Sequence, residues 1–344
     1  MIFDPKRIEH ELEEIQRQNS PTEARTAILN LLVFSRQEAA RRTEAALGHV
    51  VGKRAARVIH VIQRDQAESS VSLSARCYLD RERKSVCVQE ILIDSGHDGV
   101  GAAPGSWTPL LIRDLPVYAI WFDTLTENRE LLEDLQEHCD TLIVDSEQSV
   151  AFGERTQSAV EAIARKLTSR GVVVSDFTWQ RLLPLRRLTA RYFDPPLRRD
   201  RLEQIRRVDV SGVPPVFAGL YVSWLAGRLG WYVDEKRVAD HTGAEITVGL
   251  TPAAQDSDGG YTEKAGNNGQ RATVRFTYTD GGSSTISGET DNTAVIRGPD
   301  EREERAAYRI PNDGEIVLAE IDAVRSESLY TEALAVLRNA PWAP

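Results

Sequence analysis

The chain has 344 residues, long enough for two domains of ordinary size, and its 41% hydrophobic and 27% charged residues are the usage of a folded globular protein. A net charge of −10 argues against nucleic acid as the main partner, because phosphate binding calls for a basic face. No segment approaches the ~20 apolar residues of a membrane-spanning helix; the start Met1-Ile2-Phe3-Asp4-Pro5-Lys6 lacks the pattern of a signal peptide, and Cys77, Cys87 and Cys139 are too few and too odd in number for a secreted disulfide scaffold, so the expected compartment is the cytoplasm.

In chain order, Ile8, Leu12 and Ile15 recur at helical spacing and predict a helix over 5–18. Ser20-Pro21-Thr22-Glu23 reads as a second helix start, with Ser20 as cap and Glu23 closing a capping box. That helix is expected to reach about His49 and to contain the apolar stretch 28–34. Strands are predicted at 58–62, 71–79 and 85–93, the last two forming a hairpin across the charged turn 80–84. Residues 96–105 form a loop. Strand 115–122, helix 127–138, strand 141–144 and helix 154–170 follow, the grammar of a parallel sheet covered by helices. Its ligand-facing edge would carry Asp123 and Asp145-Ser146.

Residues 178–193 read as a helix broken or kinked at Pro184. After a short strand at 208–210, Pro214-Pro215 opens a strongly apolar helix that Gly230 ends. Beyond 230, strands at 244–250, 271–279, 293–297, 306–310 and 315–320 alternate with Gly, Asn, Asp and Ser, as in an antiparallel sheet. Residues 252–270 are expected to be a mobile loop, and a helix over 326–338 closes the chain. The expected fold is an α/β N-terminal part, a mixed sheet with covering helices, plus a smaller α+β C-terminal part with antiparallel strands. The expected division is an N-terminal helix at 1–19, an α/β domain at 20–175 and an α+β domain at 176–344.

The search for chemistry is mostly negative. Gly99, Gly101 and Gly105 follow a strand, but Gly101 and Gly105 are four apart with Pro104 between them, which is the wrong spacing for a dinucleotide fingerprint; an exposed loop is the simpler reading. None of the six histidines lies at metal-ligand spacing, His138-Cys139-Asp140 has no supporting partner for a nucleophile, and Ser146 has no nearby base. No catalytic residue, cofactor or metal site is expected. Two features remain. Nine arginines lie between Arg181 and Arg207, opposed by only Asp194, Asp200 and Glu203; they form either a solvated face with local ion pairs or a docking surface for carboxylates or phosphates, with Arg186, Arg187 and Arg191 the best placed. The other is a cysteine pair. If the hairpin is symmetric about Glu82, Val71 faces Ile93, Leu73 faces Ile91 and Cys77 faces Cys87, either as a disulfide or as two buried thiols.

Several motifs occur together in order. They are Asn30-Leu31, Arg57-Val58-Ile59, Asp114-Leu115-Pro116-Val117 running to Trp121, and Asp140 before Leu142-Ile143-Val144-Asp145-Ser146. Trp179 with Arg181-Leu182, Pro184 and Arg186, then Phe193-Asp194, Trp224-Leu225-Ala226 and Leu229-Gly230-Trp231 continue the series, and Tyr330 and Ala333-Leu334 lie in the C-terminal part. This pattern resembles the glucose-6-phosphate dehydrogenase assembly protein family, OpcA, over about residues 20–232. The resemblance implies a non-catalytic protein that binds glucose-6-phosphate dehydrogenase and promotes its active state or oligomer, with neither nucleic acid nor membrane as partner. It also implies redox responsiveness through cysteines in some members, which makes Cys77 and Cys87 the redox candidates here. The alternative expectation is an enzyme or sensor that binds a sugar phosphate or nucleotide at the strand ends near Asp145 and Ser146.

Overall fold

The computed structural model describes residues 4–19, 27–50, 53–79, 85–167, 171–253, 272–289, 292–323 and 328–342. By its internal contacts the chain divides into two units. The first takes Met1–Asp145, Ser169–Phe177 and Asn312–Ser326; the second takes Ser146–Thr168, Thr178–Pro311 and Glu327–Pro344. The units interleave along the chain.

The first unit is built on a seven-stranded sheet. Helix α1 (Pro5–Asn19) buries Ile8 and Leu12 and packs on the sheet's edge hairpin. Strand β1 (Leu29–Arg36) leads through a 3-10 turn at Gln37–Ala39 into α2 (Ala40–Val50). Strands β2 (Ala56–Gln63), β3 (Ser70–Leu79) and β4 (Ser85–Ser95) follow, then the short α3 (Pro104–Trp107), β5 (Val117–Phe122), α4 (Arg129–Glu137) and β6 (Thr141–Val144). Helices α5 (Ser146–Ala151) and α6 (Thr156–Leu167) belong to the second unit, and β7 (Val173–Asp176) completes the first unit's sheet. The strand order is β3-β4-β2-β1-β5-β6-β7. All neighbours are parallel except β3 and β4, which form the antiparallel edge.

Residues 29–34 of the stretch 28–34 are a strand, not part of a long helix. Every residue of β1 from Leu29 to Ser35 is buried. A central parallel strand covered on both faces loses the two-residue alternation that marks a strand in sequence, and its run of apolar residues then reads as helix. The helix expected from 20 to 49 is therefore only Ala40–Val50; its expected start at Ser20–Glu23 lies outside the described residues, as does the charged turn 80–84. The hairpin register is as expected, with Val71 opposite Ile93, Leu73 opposite Ile91 and Cys77 opposite Cys87.

In the second unit, α7 (Phe177–Phe193) runs unbroken through Pro184, so the expected break does not occur there. Leu182, Leu185 and Leu188 are buried on either side of the proline, and that packing holds the helix together where one backbone hydrogen bond is missing. After α8 (Pro196–Arg199) come β8 (Ile205–Val213) and α9 (Pro215–Leu229), apolar nearly all round and buried accordingly. Gly230 ends α9 in the left-handed conformation, φ 64°. Strands β9 (Tyr232–Val233) and β10 (Val238–Ala239) pair with each other; β11 (Thr247–Pro252), β12 (Thr273–Tyr278), β13 (Ser283–Gly288), β14 (Thr293–Arg297) and β15 (Glu303–Ala307) join β8 in the order β11-β8-β12-β13-β14-β15. This sheet is antiparallel except for the parallel pair β8–β11. Residues 254–270 of the expected loop lie outside the described residues.

The stretch 315–320 is helical, within α10 (Asp313–Asp322) of the first unit. Asn312 caps it: its side chain accepts from Glu315 N at 2.9 Å while the Glu315 carboxylate accepts from Asn312 N at 3.0 Å. The Asn-x-x-Glu spacing was present in the sequence, but Asn312-Asp313-Gly314 also reads as a turn between strands. The final helix is α11 (Ser328–Leu337), which packs on α9 close to Gly219. A Cβ at Gly219 would meet the Leu337 side chain at 3.0 Å.

Candidate functional site

In the first unit's sheet the chain winds outward from β1 in both directions, to β2 and β4 on one side and to β5, β6 and β7 on the other. Such a reversal opens a crevice at the C-terminal ends of the two central strands, where ligands of doubly wound folds bind. Here those ends carry Arg36, the last residue of β1, and Asp123 directly after β5. The Arg36 guanidinium bonds the carboxylates of Asp123 and Glu127 and reaches Thr124 Oγ1 at 3.2 Å. The Asn128 amide donates to the other Asp123 oxygen, and Thr124 N donates to Asp123 at 2.6 Å. Asp123 is 3% exposed. Burial pushes its carboxyl above the ordinary range, more than Arg36 and the hydrogen-bond donors pull it back.

A dinucleotide at this position needs glycines after the first strand, so that the backbone can approach the pyrophosphate at the helix N-terminus. The residues there are Arg36-Gln37-Glu38-Ala39-Ala40, without a glycine. The glycines considered from sequence, Gly99 and Gly101, follow β4 instead. Gly99 has φ 66°, and a Cβ at Gly101 would meet Ser95 Cα at 2.9 Å, so these glycines serve a tight local turn.

The next strand end holds a second arginine–carboxylate cluster. Asp145, 1% exposed, pairs with Arg42, which also bonds Asp313 at 2.5 Å and lies 4.5 Å from the centre of the Phe122 ring. Ser146 is 1% exposed. A buried pair that sequence reading missed lies deeper: Ser35 Oγ and His60 Nε2 are 2.8 Å apart between β1 and β2. Burial lowers the His60 pKa to about 4. A period-2 reading of β2 could have flagged a histidine within an apolar run, but its partner follows only from the strand pairing.

Cys77 and Cys87 are joined in a disulfide with their Cα atoms 4.1 Å apart, between directly opposed residues of β3 and β4. Cys139 is buried and outside the disulfide, its thiol donating to Gln136 O at 3.8 Å. The arginines divide into groups. Arg186 is 5% exposed, with its guanidinium 3.6 Å from the Trp179 ring centre two turns back along α7, so it belongs to the interior. Arg187 and Arg191 are exposed, and neither makes an ion pair among the described residues. Arg198, Arg201, Arg206 and Arg207 pair with Glu304, Asp280, Asp240 and Asp209. Among the described residues, no group of three or more His, Cys, Asp or Glu side chains could hold a metal, and no helix is long and apolar enough to cross a membrane.

The first unit is thus a doubly wound α/β fold whose central strand ends are bridged by an arginine–carboxylate cluster, and the second is a mainly antiparallel sheet covered by helices. Residues 49–165 match the family described as glucose-6-phosphate dehydrogenase subunit, N-terminal domain, and residues 172–334 match the C-terminal domain of the same subunit. The chain belongs to this glucose-6-phosphate dehydrogenase assembly family, OpcA. Its relatives include proteins named OxPP cycle protein OpcA. That of Nostoc punctiforme is 28% identical over 243 residues, covering 64% of this chain and 51% of the relative. That of Synechocystis sp. is 28% identical over 171 residues, covering 48% and 35%. The chain therefore spans about a third to a half of the length of these relatives. Among solved structures, the yvaA protein of Bacillus subtilis aligns at TM-score 0.43 and 10% identity, covering 92% of this chain and 96% of that one. An oxidoreductase domain protein of Kribbella flavida aligns at 0.47 and 11%, covering 91% and 95%.

Proposed function

We propose that this protein acts in the cytoplasm without catalytic chemistry of its own, binding glucose-6-phosphate dehydrogenase and shifting that enzyme toward its active state. The observation that carries the reading is the ordered match of both family domains, over 49–165 and 172–334. The charge arrangement agrees with it. The carboxylates at the strand ends, Asp123 and Asp145, are buried and held by Arg36 and Arg42, which suits a folding role better than proton transfer. Arg187 and Arg191, one turn apart on the exposed face of α7, are the proposed partner contacts within that helix. The Cys77–Cys87 bond is the link through which redox state would act.

Activation requires that the protein bind the active form of the enzyme more tightly than the inactive one, since equal affinity shifts nothing. The test is an assay of the cognate dehydrogenase with and without this protein, with size-exclusion chromatography in parallel. The expected result is a lower KM for glucose 6-phosphate or a higher kcat, and no turnover by this protein alone. Binding with unchanged kinetics would make it a scaffold, and turnover by the protein alone would make it an enzyme.

A further inference from the structure

Strand β3 forms one edge of the first unit's sheet, and β4 is its only strand neighbour among the described residues. An edge strand presents a row of unpaired backbone donors and acceptors, and folded proteins commonly blunt such a row with a bulge, a proline or an outward charge. The first part of β3 has none of these. Its residues pair with β4 in one continuous register, without a bulge. Residues 70–75 read Ser-Val-Ser-Leu-Ser-Ala, with neither proline nor charge. Arg76, the next residue, bonds Glu90 on the neighbouring β4. Among the described residues, no backbone hydrogen bond beyond the pairing with β4 reaches residues 70–74.

The edge is also apolar on one face. Val71 and Leu73 are only partly buried, whereas Ile93 and Ile91, directly opposite them on β4, are 0% exposed. On the other face Ser70, Ser72 and Ser74 are exposed.

This segment is complementary to itself. With a second copy of β3 laid antiparallel along it and Ser72 opposite Ser72, Ser70 falls opposite Ser74 and Val71 opposite Leu73. Serine then meets serine on one face, and the partly exposed apolar residues meet on the other. The same register sets Glu68, just before the strand, opposite Arg76 of the other copy, and the two-fold symmetry makes this contact twice. Both side chains are exposed, and they are the only charges between 68 and 76. Centring the pairing on Val71 or Leu73 instead leaves Glu68 and Arg76 without each other.

We infer that a second copy of this chain docks on this edge, the two β3 strands pairing antiparallel about Ser72 into one continuous sheet. Apolar, hydroxyl and charged positions all match under one two-fold operation, which an unrelated strand has no reason to satisfy. The inference goes beyond the functional reading and does not depend on it, because it concerns the chain by itself.

The experiment is sedimentation of the full chain alone over a wide range of concentration, for wild type, Ser72→Lys, Ser72→Glu and an equimolar mixture of these two variants, with the melting temperature of each. Ser72 is exposed, so both variants are expected to melt as wild type does. In the proposed register each variant sets like charges directly opposite one another, and the mixture sets opposite charges there. Wild type is expected to dimerise, each variant alone to dimerise at least about fivefold more weakly, and the mixture to return to within about twofold of wild type. A wild type that stays monomeric throughout would overturn the inference. So would variants that dimerise as wild type does, or a mixture no tighter than its components. A chain that is monomeric alone but loses binding to the dehydrogenase on Ser72→Lys would assign the edge to that enzyme, and the self-pairing would again be wrong.

Discussion

At the scale of single residues, a buried side chain's chemistry is set by what it gives up on leaving water. His60 is 5% exposed, bonded to Ser35 at 2.8 Å, and its pKa is lowered to about 4, mainly by burial and further by the charge of Arg64. On acidification the unfolded chain therefore takes up a proton at this residue before the folded one does. The stability tied to a neutral His60 is full above its ordinary pKa of 6.5 and is lost as pH falls from there toward about 4. A shift of that size corresponds to roughly 3 kcal/mol. Urea unfolding of His60→Gln, which keeps a hydrogen-bonding group for Ser35, is expected to show a flatter loss of stability between those pH values than wild type; equal slopes would show that His60 is not the acid-sensitive group. Arg36 and Arg42 follow the same logic from the other side, because each compensates an aspartate that burial alone would leave costly.

At the scale of elements, the β3–β4 hairpin combines a register set by side chains with a covalent bond. Apolar pairs such as Val71–Ile93 and Leu73–Ile91 hold the alignment through cross-strand packing, and the Cys77–Cys87 bond adds a constraint on the unfolded chain. Cys77→Ala with Cys87→Ala is expected to keep the fold, as judged by circular dichroism, and to lower stability by about 2–3 kcal/mol, the chain-entropy value for so short a loop. An unchanged denaturation midpoint, also unaffected by reductant in wild type, would remove the bond from the stability balance. Other elements show local and tertiary preference in conflict. Pro184 argues for a break that the packing of Leu182, Leu185 and Leu188 overrides. Gly314 lies in the first turn of α10, where alanine would be the better helix former, yet a Cβ there would meet Ala46 O at 2.9 Å and His49 Cγ at 2.7 Å, so the contact with α2 decides the residue.

At the scale of the whole molecule, charge is unevenly placed. A chain of net charge −10 that associates through exposed arginines should lose that association as salt screens it. Raising ionic strength from roughly 0.05 to 0.5 M, over which the Debye length shrinks about threefold, is expected to raise severalfold the concentration of this protein needed for half-maximal activation of the dehydrogenase. An unchanged requirement would point to an apolar contact surface. The unit division belongs to this scale as well. Helices α5 and α6 lie in sequence between β6 and β7 but join the second unit, while α10 lies late in the chain but joins the first.

The sequence by itself determined whatever depends on near neighbours along the chain. Alternation over 71–79 and 85–93 gave the hairpin and its cysteine pairing, Pro215 and Gly230 bounded α9, and β6 was found at its observed limits. The ordered motifs carried the family. Only the tertiary structure decided what depends on which surfaces are covered. It made 29–34 a strand, because a doubly covered strand needs no polar face, and it made β13 part of a sheet although serine, threonine and glycine dominate it, because only Ser284, Ile286 and Gly288 turn inward. It also made 315–320 a helix, where a capping asparagine and a turn asparagine are the same residue until its partners are known. It placed Arg186 inside and left Arg187 and Arg191 outside, a distinction that adjacent identical residues cannot express. The crevice cluster of Arg36, Asp123 and Glu127 joins positions 91 residues apart, and a strand order that reverses at β1 is a property of the whole sheet, not of any stretch of the chain.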